Sequence, residues 1–588
     1  MSFDLTDAPN LVTLLRQQAS GRPDAPAVAF LTRPDDLHGG LTRWTYSDLD
    51  RQARTIAAWL QRQLPAGARV LLLYPSGVDF VAALLGCVYA GMVAVPSPEP
   101  GQQKHHRMRV RKIIDSAEVA GILTTSARLG DTRAWAAGAG LQTGVFVQAT
   151  DLPLADPDQW QQGAPDRSAT ALLQYTSGST GEPKGVIVSH DNVLFNLGVA
   201  TRDIGWPASA RLGGWLPLYH DMALQGLIFA ALLRGGSLTL MDPMAFIRRP
   251  MSWLRLMDLH DINVTFAPNF AYDLCVSRST DEDIAQLDLS RLYLAGNSSE
   301  PVDAAVLTRF AERFAPAGFR LDSFAPVYGL AEITGYVCGR RGRAPVVRRA
   351  DSAELAGGRL VAAVSDRPGR DVVSCGPPTE ACEVRVVDPS SREVLPEDSV
   401  GEIWLRGRSV AGGYWGLDND DQVFGATTAD GESGFLRTGD LGVLHEGELH
   451  LHGRLKDVLV VRGRKVHPAD IEQELRRQHP ELGRLGAVFA GAGDGDHHIV
   501  VTHEVTKVST ERLPVLAAEI RQTVAREFGV HAGTVLLLRP GAVSRTTSGK
   551  VRRSAMRELF RTGALSSVYR DPHPVGASHP APALPSAI

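Results

Sequence analysis

Short apolar runs alternate with stretches of helical periodicity over the first two thirds of the chain. Val70-Leu-Leu-Leu-Tyr74 reads as a buried strand, Val78–Ala90 as a helix and Val93–Val95 as the next strand. Ala120–Leu123, Leu238–Met241, Val264–Ala267 and Leu292–Ala295 are further short strands between helical stretches. Such alternation predicts parallel sheets covered by helices. From about Cys375 the pattern changes. Val384–Val387 and Gly401–Leu405 are short strands with turn residues between them, as in a small antiparallel sheet or barrel. After Arg454, strands at Val458–Val461 and His498–His503 and helices near Pro468–Arg477 and Leu513–Phe528 predict a compact α+β unit. Beyond about Leu565 the chain is rich in Pro, Ala, Ser and His and is expected to be disordered.

Composition narrows the class. At 588 residues the chain exceeds one core, so two or more domains are expected. Lys and Arg number 61 against 65 Asp and Glu, which gives no reason to propose nucleic acid or an anionic membrane as partner. Cys87, Cys275, Cys338, Cys375 and Cys382 form no C-x-x-C pair, as expected for free thiols in a reducing cytosol. The segment Met1–Asp7 lacks the apolar stretch of a signal peptide. The longest uncharged apolar stretch, Phe80–Val95, is interrupted by Gly86 and Gly91 and is too short to span a bilayer. The expectation is a cytoplasmic protein with no stable membrane insertion.

Tyr175-Thr-Ser-Gly-Ser-Thr-Gly-Glu-Pro-Lys-Gly185 carries the clearest chemistry. Glycine lets backbone N–H groups approach a ligand, hydroxyls add donors, and Lys184 adds a point charge. Apolar residues lead in at Ala171–Leu173 and out at Val186–Val188, giving strand, loop, strand. Such a loop suits a polyanion such as a nucleotide triphosphate. It is not a Walker A loop, because Pro183 precedes Lys184 and Gly follows it.

Further motifs follow in order: Tyr219-His-Asp-Met222, Tyr328-Gly-Leu-Ala-Glu332, Leu436-Arg-Thr-Gly-Asp440, Gly453-Arg-Leu-Lys-Asp457, Arg462–Glu472 and Thr546-Thr-Ser-Gly-Lys-Val-Arg552. Together they resemble the adenylate-forming superfamily of acyl-CoA synthetases, luciferases and peptide-synthetase adenylation domains, over roughly Leu11 to Arg561. Phe266–Cys275, Tyr219–Met222, Arg454–Gly463 and the extra stretch between Cys338 and Cys375 resemble its fatty acyl-AMP ligase branch. The resemblance implies an α/β fold. A large N-terminal domain (1–453) holds two parallel-sheet subdomains and a small β-barrel, and a small mobile α+β domain (454–564) follows, then a tail (565–588). It also implies that the insertion within 338–375 impedes the domain rotation that admits CoA. The acyl group then passes to the phosphopantetheine arm of an acyl carrier protein.

The resemblance assigns roles residue by residue. Lys550 reaches the fatty carboxylate and the α-phosphate, and His220 and Glu332 join it as catalytic residues, with Glu332 the ligand of Mg²⁺. ATP and AMP are held by Thr176, Ser177, Gly178, Ser179, Thr180, Gly181, Lys184, Gly296, Asn297, Tyr328, Gly329, Asp440 and Arg454. Tyr328 offers a ring to adenine, Asp440 accepts the ribose hydroxyls, and the planar fork of Arg454 suits phosphate or ribose. Lys456 is the hinge. Asp221, Met222, Gln225, Asn269 and Phe270 line the acyl pocket. Ala223 and Gln225 stand where the branch more often has Gly and Ile, and Lys465-Val-His467 replaces its usual Asn-His-Tyr. The expected substrates are ATP and a medium- or long-chain fatty acid. A CoA ligase and a non-catalytic acyl-adenylate binder remain as alternatives. His445-Glu-Gly-Glu-Leu-His450 lacks the spacing of a zinc motif and reads as a hairpin.

Overall fold

The computed structural model describes residues 5–101, 104–141, 144–176, 182–207, 210–364, 369–417, 422–461, 464–491, 498–506, 508–545 and 551–571. The chain divides into two compact units. The first holds Met1–Asp351, Gly358–Ser365 and Gly369–His452, and the second holds Ser352–Gly357, Asp366–Pro368 and Gly453–Ile588.

Two sheets organise the first unit. In one, six strands run parallel in the order Phe324–Tyr328, Leu294–Asn297, Val264–Ala267, Arg211–Gly214, Ser237–Leu240, Pro26–Leu31. Antiparallel edge strands, Cys338–Gly339 and Leu41–Thr45, close its two sides. In the other, Phe146–Ala149, Gly121–Thr124, Arg69–Leu73, Val93–Ser97 and Thr170–Thr176 are parallel, and Lys184–Ser189 returns antiparallel. The helix Val78–Ala90 is buried at every position except Asp79 and stops at Gly91, which adopts φ +74°. Its Gly86 lies against Ile56 of the helix Tyr46–Gln63, where a Cβ would meet Ile56 at 2.7 Å. That absence of a side chain lets two helices of the core approach closely.

The expected small barrel takes the form of a four-stranded antiparallel sheet, Cys382–Val387, Gly401–Gly407, Leu436–His445 and Glu448–Arg454. The last two strands are joined by Glu446 and Gly447, both at positive φ, the geometry of a two-residue hairpin turn. The insertion holds a strand pair that the apolar pattern does not predict. Val347–Asp351 and Gly369–Val373 pair antiparallel over five residues. Arg348 and Arg349 are adjacent, so charge falls on both faces of the first strand and no apolar alternation shows in the sequence.

In the second unit the sheet order is Leu482–Ala490, Ile499–Val505, Ala532–Leu538, Tyr569–Arg570. Leu516, Ala517, Ile520 and Val524 of the helix Arg512–Phe528 and Ile471 and Leu475 of Pro468–Gln478 are buried in its core. The last strand lies within the tail expected to be disordered from 565, of which residues 572–588 lie outside the described residues. Tyr569 and Arg570 pair with Leu537 and Leu536. A two-residue edge strand is too short to register as periodicity. Among the described residues no helix is long and apolar enough to cross a membrane.

Candidate active site

Among the described candidates of the first unit, Thr176, Asn297 and Tyr328 end parallel strands, where α/β sheets present ligand sites, while Lys184 and Asp440 lie on antiparallel strands. Thr176 closes its strand opposite Lys184, so the glycine-rich run leaves and returns on paired strands. Ser177, Gly178, Ser179, Thr180 and Gly181 lie outside the described residues. Tyr175 donates to Ser116 Oγ at 3.0 Å, and a Cβ at Gly185 would stand 2.8 Å from its ring.

Tyr328, at the end of its strand, donates from its hydroxyl to Asp440 Oδ2 at 3.0 Å, with both side chains buried. Two residues from separate motifs are thus partners. Asp440 follows Gly439, at φ +68°, and its N–H donates to Thr438 Oγ1 at 3.0 Å. After Tyr328 the chain turns tightly. The N–H groups of Val337 and Gly335 donate to Tyr328 O and Leu330 O at 3.0 Å each. A Cβ at Gly329 would sit 1.6 Å from Gly335 O. Thr334, buried at 1% exposure, takes φ +64° with its hydroxyl on Ser409 O at 3.0 Å. This turn presents Glu332.

Glu332 meets a residue that sequence reasoning missed. Its Oε1 accepts the Tyr414 hydroxyl at 2.9 Å. The ring of the same tyrosine lies under Lys184, with Nζ 4.6 Å from the centroid. Backbone bonds fix Tyr414 from both sides. Trp415 N–H donates to Gly185 O at 2.7 Å, Ile187 N–H to Gly413 O at 3.0 Å, and Ala411 N–H to Glu332 O at 2.9 Å. The signal for it in the sequence was a glycine pair followed by two aromatics, Gly412-Gly413-Tyr414-Trp415.

His220 caps the short turn Asp221–Ala223, with Nδ1 2.6 Å from Asp221 Oδ1. Gln174 Nε2 donates to Tyr219 O at 2.9 Å and ties this loop to the strand Thr170–Thr176. Met222 Sδ accepts the Ser299 hydroxyl at 3.8 Å, and Phe270 N–H donates to Glu300 Oε1 at 2.6 Å. Met222 and the Phe270 backbone thus both meet the segment 299–300, in which Ser299 adopts φ +75°. Phe270 packs edge-on against Trp215 (5.8 Å), which stacks on Phe246 (4.1 Å). Gln225 lies on a π-helical stretch, Leu224–Phe229. Asn269 Oδ1 accepts from Asn297 Nδ2 at 3.1 Å. Asn297 is fully buried, and its Oδ1 has no hydrogen-bond partner among the described residues. A Cβ at Gly296 would stand 2.2 Å from the Phe266 ring.

In the second unit, Arg454 precedes the short helix Leu455–Asp457 that carries Lys456, and both side chains are exposed. Lys550 lies outside the described residues. Flanking it, Arg545 and Val551 form an antiparallel bridge. Arg553 is half-buried and grips Glu472 with two bonds, 2.8 and 2.6 Å, while reaching Asp457 Oδ2 at 3.4 Å. Glu472 also accepts Val488 N–H at 2.8 Å.

A family profile described as AMP-binding enzyme matches residues 15–415. The chain is 35% identical over 568 residues to the medium-chain-fatty-acid–[acyl-carrier-protein] ligase JamA of Moorena producens, covering 94% of this chain and 95% of that protein. It is 37% identical over 577 residues to the long-chain-fatty-acid–AMP ligase FadD26 of Mycobacterium marinum, covering 95% and 98%. A solved chain from structural and functional studies of fatty acyl-adenylate ligases of E. coli and L. pneumophila superposes with a TM-score of 0.86 at 30% identity, covering 95% of this chain and 99% of that one. These likenesses show that the chain belongs to the AMP-binding enzymes, the adenylate-forming family, and among them to the fatty acyl-AMP ligases.

Proposed function

We propose that this chain activates a medium- or long-chain fatty acid with ATP and passes the acyl group to the phosphopantetheine thiol of an acyl carrier protein. The observation that carries the reading is the Lys184–Tyr414–Glu332 arrangement in the same unit as the Tyr328–Asp440 pair. A fatty carboxylate oxygen attacks the α-phosphorus, the bond to the bridging oxygen of the β-phosphate breaks, and pyrophosphate leaves. Both reactants are anions, so donors and cations placed for the charge developing on phosphorus lower the barrier. Lys184 and Lys550 supply that charge. Asp440 orients the ribose, and Asn297 Oδ1 offers a buried acceptor to a ligand donor such as the adenine amino group. In the second step the thiolate sulfur attacks the acyl carbonyl and AMP leaves with the electron pair of the C–O bond.

Glu332 suits Mg²⁺, a hard ion that takes one or two carboxylates together with phosphate oxygens and water. Bound there, the ion would neutralise phosphate charge. Tyr414 holds one Glu332 oxygen and keeps the carboxylate turned toward the Lys184 side. Tyr414→Phe keeps the ring under Lys184 and removes a hydrogen bond to a charged group, a contact of about 1.5–3 kcal/mol. The expected result is about a tenfold higher Mg²⁺ requirement for pyrophosphate release, with the fatty acid KM unchanged. Thermal stabilisation by ATP with Mg²⁺, but not by ATP with chelator, should fall in parallel. An unchanged Mg²⁺ requirement would remove Tyr414 from this role.

The trans-acting test of the whole reading uses ATP, Mg²⁺ and a panel of fatty acids, followed by either CoA or a holo carrier protein. Carrier loading well above acyl-CoA formation is expected. Equal rates would favour a CoA ligase, and no pyrophosphate release with any acid would favour a binding protein. Deleting Arg340–Arg370 should raise activity with CoA. Cytoplasmic residence is part of the same proposal, supported by five cysteines that are all buried thiols.

A further inference from the structure

The Arg340–Arg370 insertion is basic, with eight arginines against three acidic residues, so its seating on the first unit calls for carboxylates. The turn between Leu436–His445 and Glu448–Arg454 supplies them. Glu448 Oε1 accepts both Arg340 Nη1 and Arg343 Nη2, from the leg that enters the insertion. From the leg that leaves it, Ser374 hydrogen-bonds the same carboxylate, and the Ser374 hydroxyl also accepts Gly376 N–H at 2.8 Å. The backbone around this carboxylate is laced to both legs. Ser374 N–H donates to Val346 O at 2.9 Å, Cys375 N–H to Leu449 O at 2.8 Å, and Leu449 N–H to Gly376 O at 3.0 Å. Glu446, on the turn itself, takes Arg348. Arg341 leaves in the other direction, its guanidinium over the Tyr293 ring at 3.3 Å from the centroid.

Glu448 is only 12% exposed. Burial alone would push its carboxyl up, yet the Ser374 hydrogen bond and the Arg340 guanidinium hold it below the usual glutamate range. Buried His450 stands next to it, its ring pushed down to about 4 by burial and so neutral at pH 7. A charged, mostly buried carboxylate that serves three partners at once is costly to replace, because each loses its acceptor.

We propose that Glu448 fastens both legs of the insertion and is thereby a specificity-determining residue for the acyl acceptor. The inference rests on the proposed role of the insertion in disfavouring CoA. Freed at both legs, the insertion keeps its chain but loses its fixed orientation, and discrimination against CoA falls.

Three variants test this in the full chain: Glu448→Gln, the double variant Arg340→Gln/Arg343→Gln, and deletion of Arg340–Arg370. For the first two, pyrophosphate release with ATP and fatty acid should stay within about twofold of wild type. The ratio of acyl-CoA to acyl-carrier formation should rise about tenfold, the scale of coupling between two sites. Limited proteolysis should cut earlier within 340–370. Because the double variant breaks the same contact from the other side, a folding defect peculiar to Glu448→Gln does not decide the result. If the deletion raises CoA use while both point variants leave the ratio and the cleavage rate unchanged, Glu448 is not the fastener and the role of the insertion stands. If the deletion also leaves the ratio unchanged, that role falls, and the Glu448 inference with it.

Discussion

Lys550→Ala is expected to lower pyrophosphate release from ATP and fatty acid by about 10²–10³-fold, the loss typical when one donor to a developing oxyanion is removed, roughly 3–4 kcal/mol. The substitution should leave the second unit folded. Its core, the sheet Leu482–Tyr569 with the helices Pro468–Gln478 and Arg512–Phe528, draws on buried residues elsewhere in sequence. The segments flanking Lys550 are held by other contacts, the Arg545–Val551 bridge on both sides and Arg553 on Glu472 and Asp457 after it. Thermal unfolding with the wild-type midpoint would therefore accompany the loss of rate. Supplying preformed acyl-AMP and a holo carrier separates the steps, because Lys550 is assigned to adenylation and not to thioester formation. Pyrophosphate release near the wild-type rate would show that the charge at the α-phosphate comes from elsewhere.

Gly329→Ala should abolish adenylation nearly as fully, by a different route. The added methyl would stand 1.6 Å from Gly335 O, and neither group is the end of a flexible side chain. Relief requires opening the turn that Gly335 N–H and Val337 N–H close on Leu330 O and Tyr328 O. Glu332 rides on that turn, and Tyr328 begins it, so both the Tyr414–Glu332 and the Tyr328–Asp440 hydrogen bonds should be lost together. A fall in activity of about 10²-fold or more is expected, with about 1–3 kcal/mol of destabilisation from overpacking. Thermal unfolding should show a lower midpoint, and ATP should no longer raise it. Gly296→Ala is the comparison. There the clash is with the Phe266 ring, which can rotate or shift, so a smaller loss is expected.

The parallel sheets were legible because their strands are continuous apolar runs, buried on both faces. Val70–Tyr74, Val264–Ala267 and Leu238–Met241 each fall on an observed strand to within a residue or two. The Val347–Asp351 and Gly369–Val373 pair was not legible. Its arginines are held by distant carboxylates, Asp371 across the pair and Glu446 on another sheet, so charge replaces the apolar alternation that marks a strand. Tyr569–Arg570 was missed for a simpler reason, since two residues carry no period.

Residue types and their order are readable along the chain: a glycine-rich run ending in Lys184, a Tyr-Gly pair before Glu332, an aspartate at 440 and a lysine at 550. Those are local requirements, met by a few adjacent residues, and they suffice to place the chain among adenylate-forming enzymes. Which of them meet as pairs depends on the folded chain. Tyr328 and Asp440 are 112 positions apart, and Tyr414 stands 82 positions from the Glu332 it orients. Contacts of that separation are set by strand order and by the crossing of chain segments at strand ends. Neither periodicity nor motif spacing encodes that register, so Tyr414 and Glu448 became visible only when the sheets had brought their partners to them.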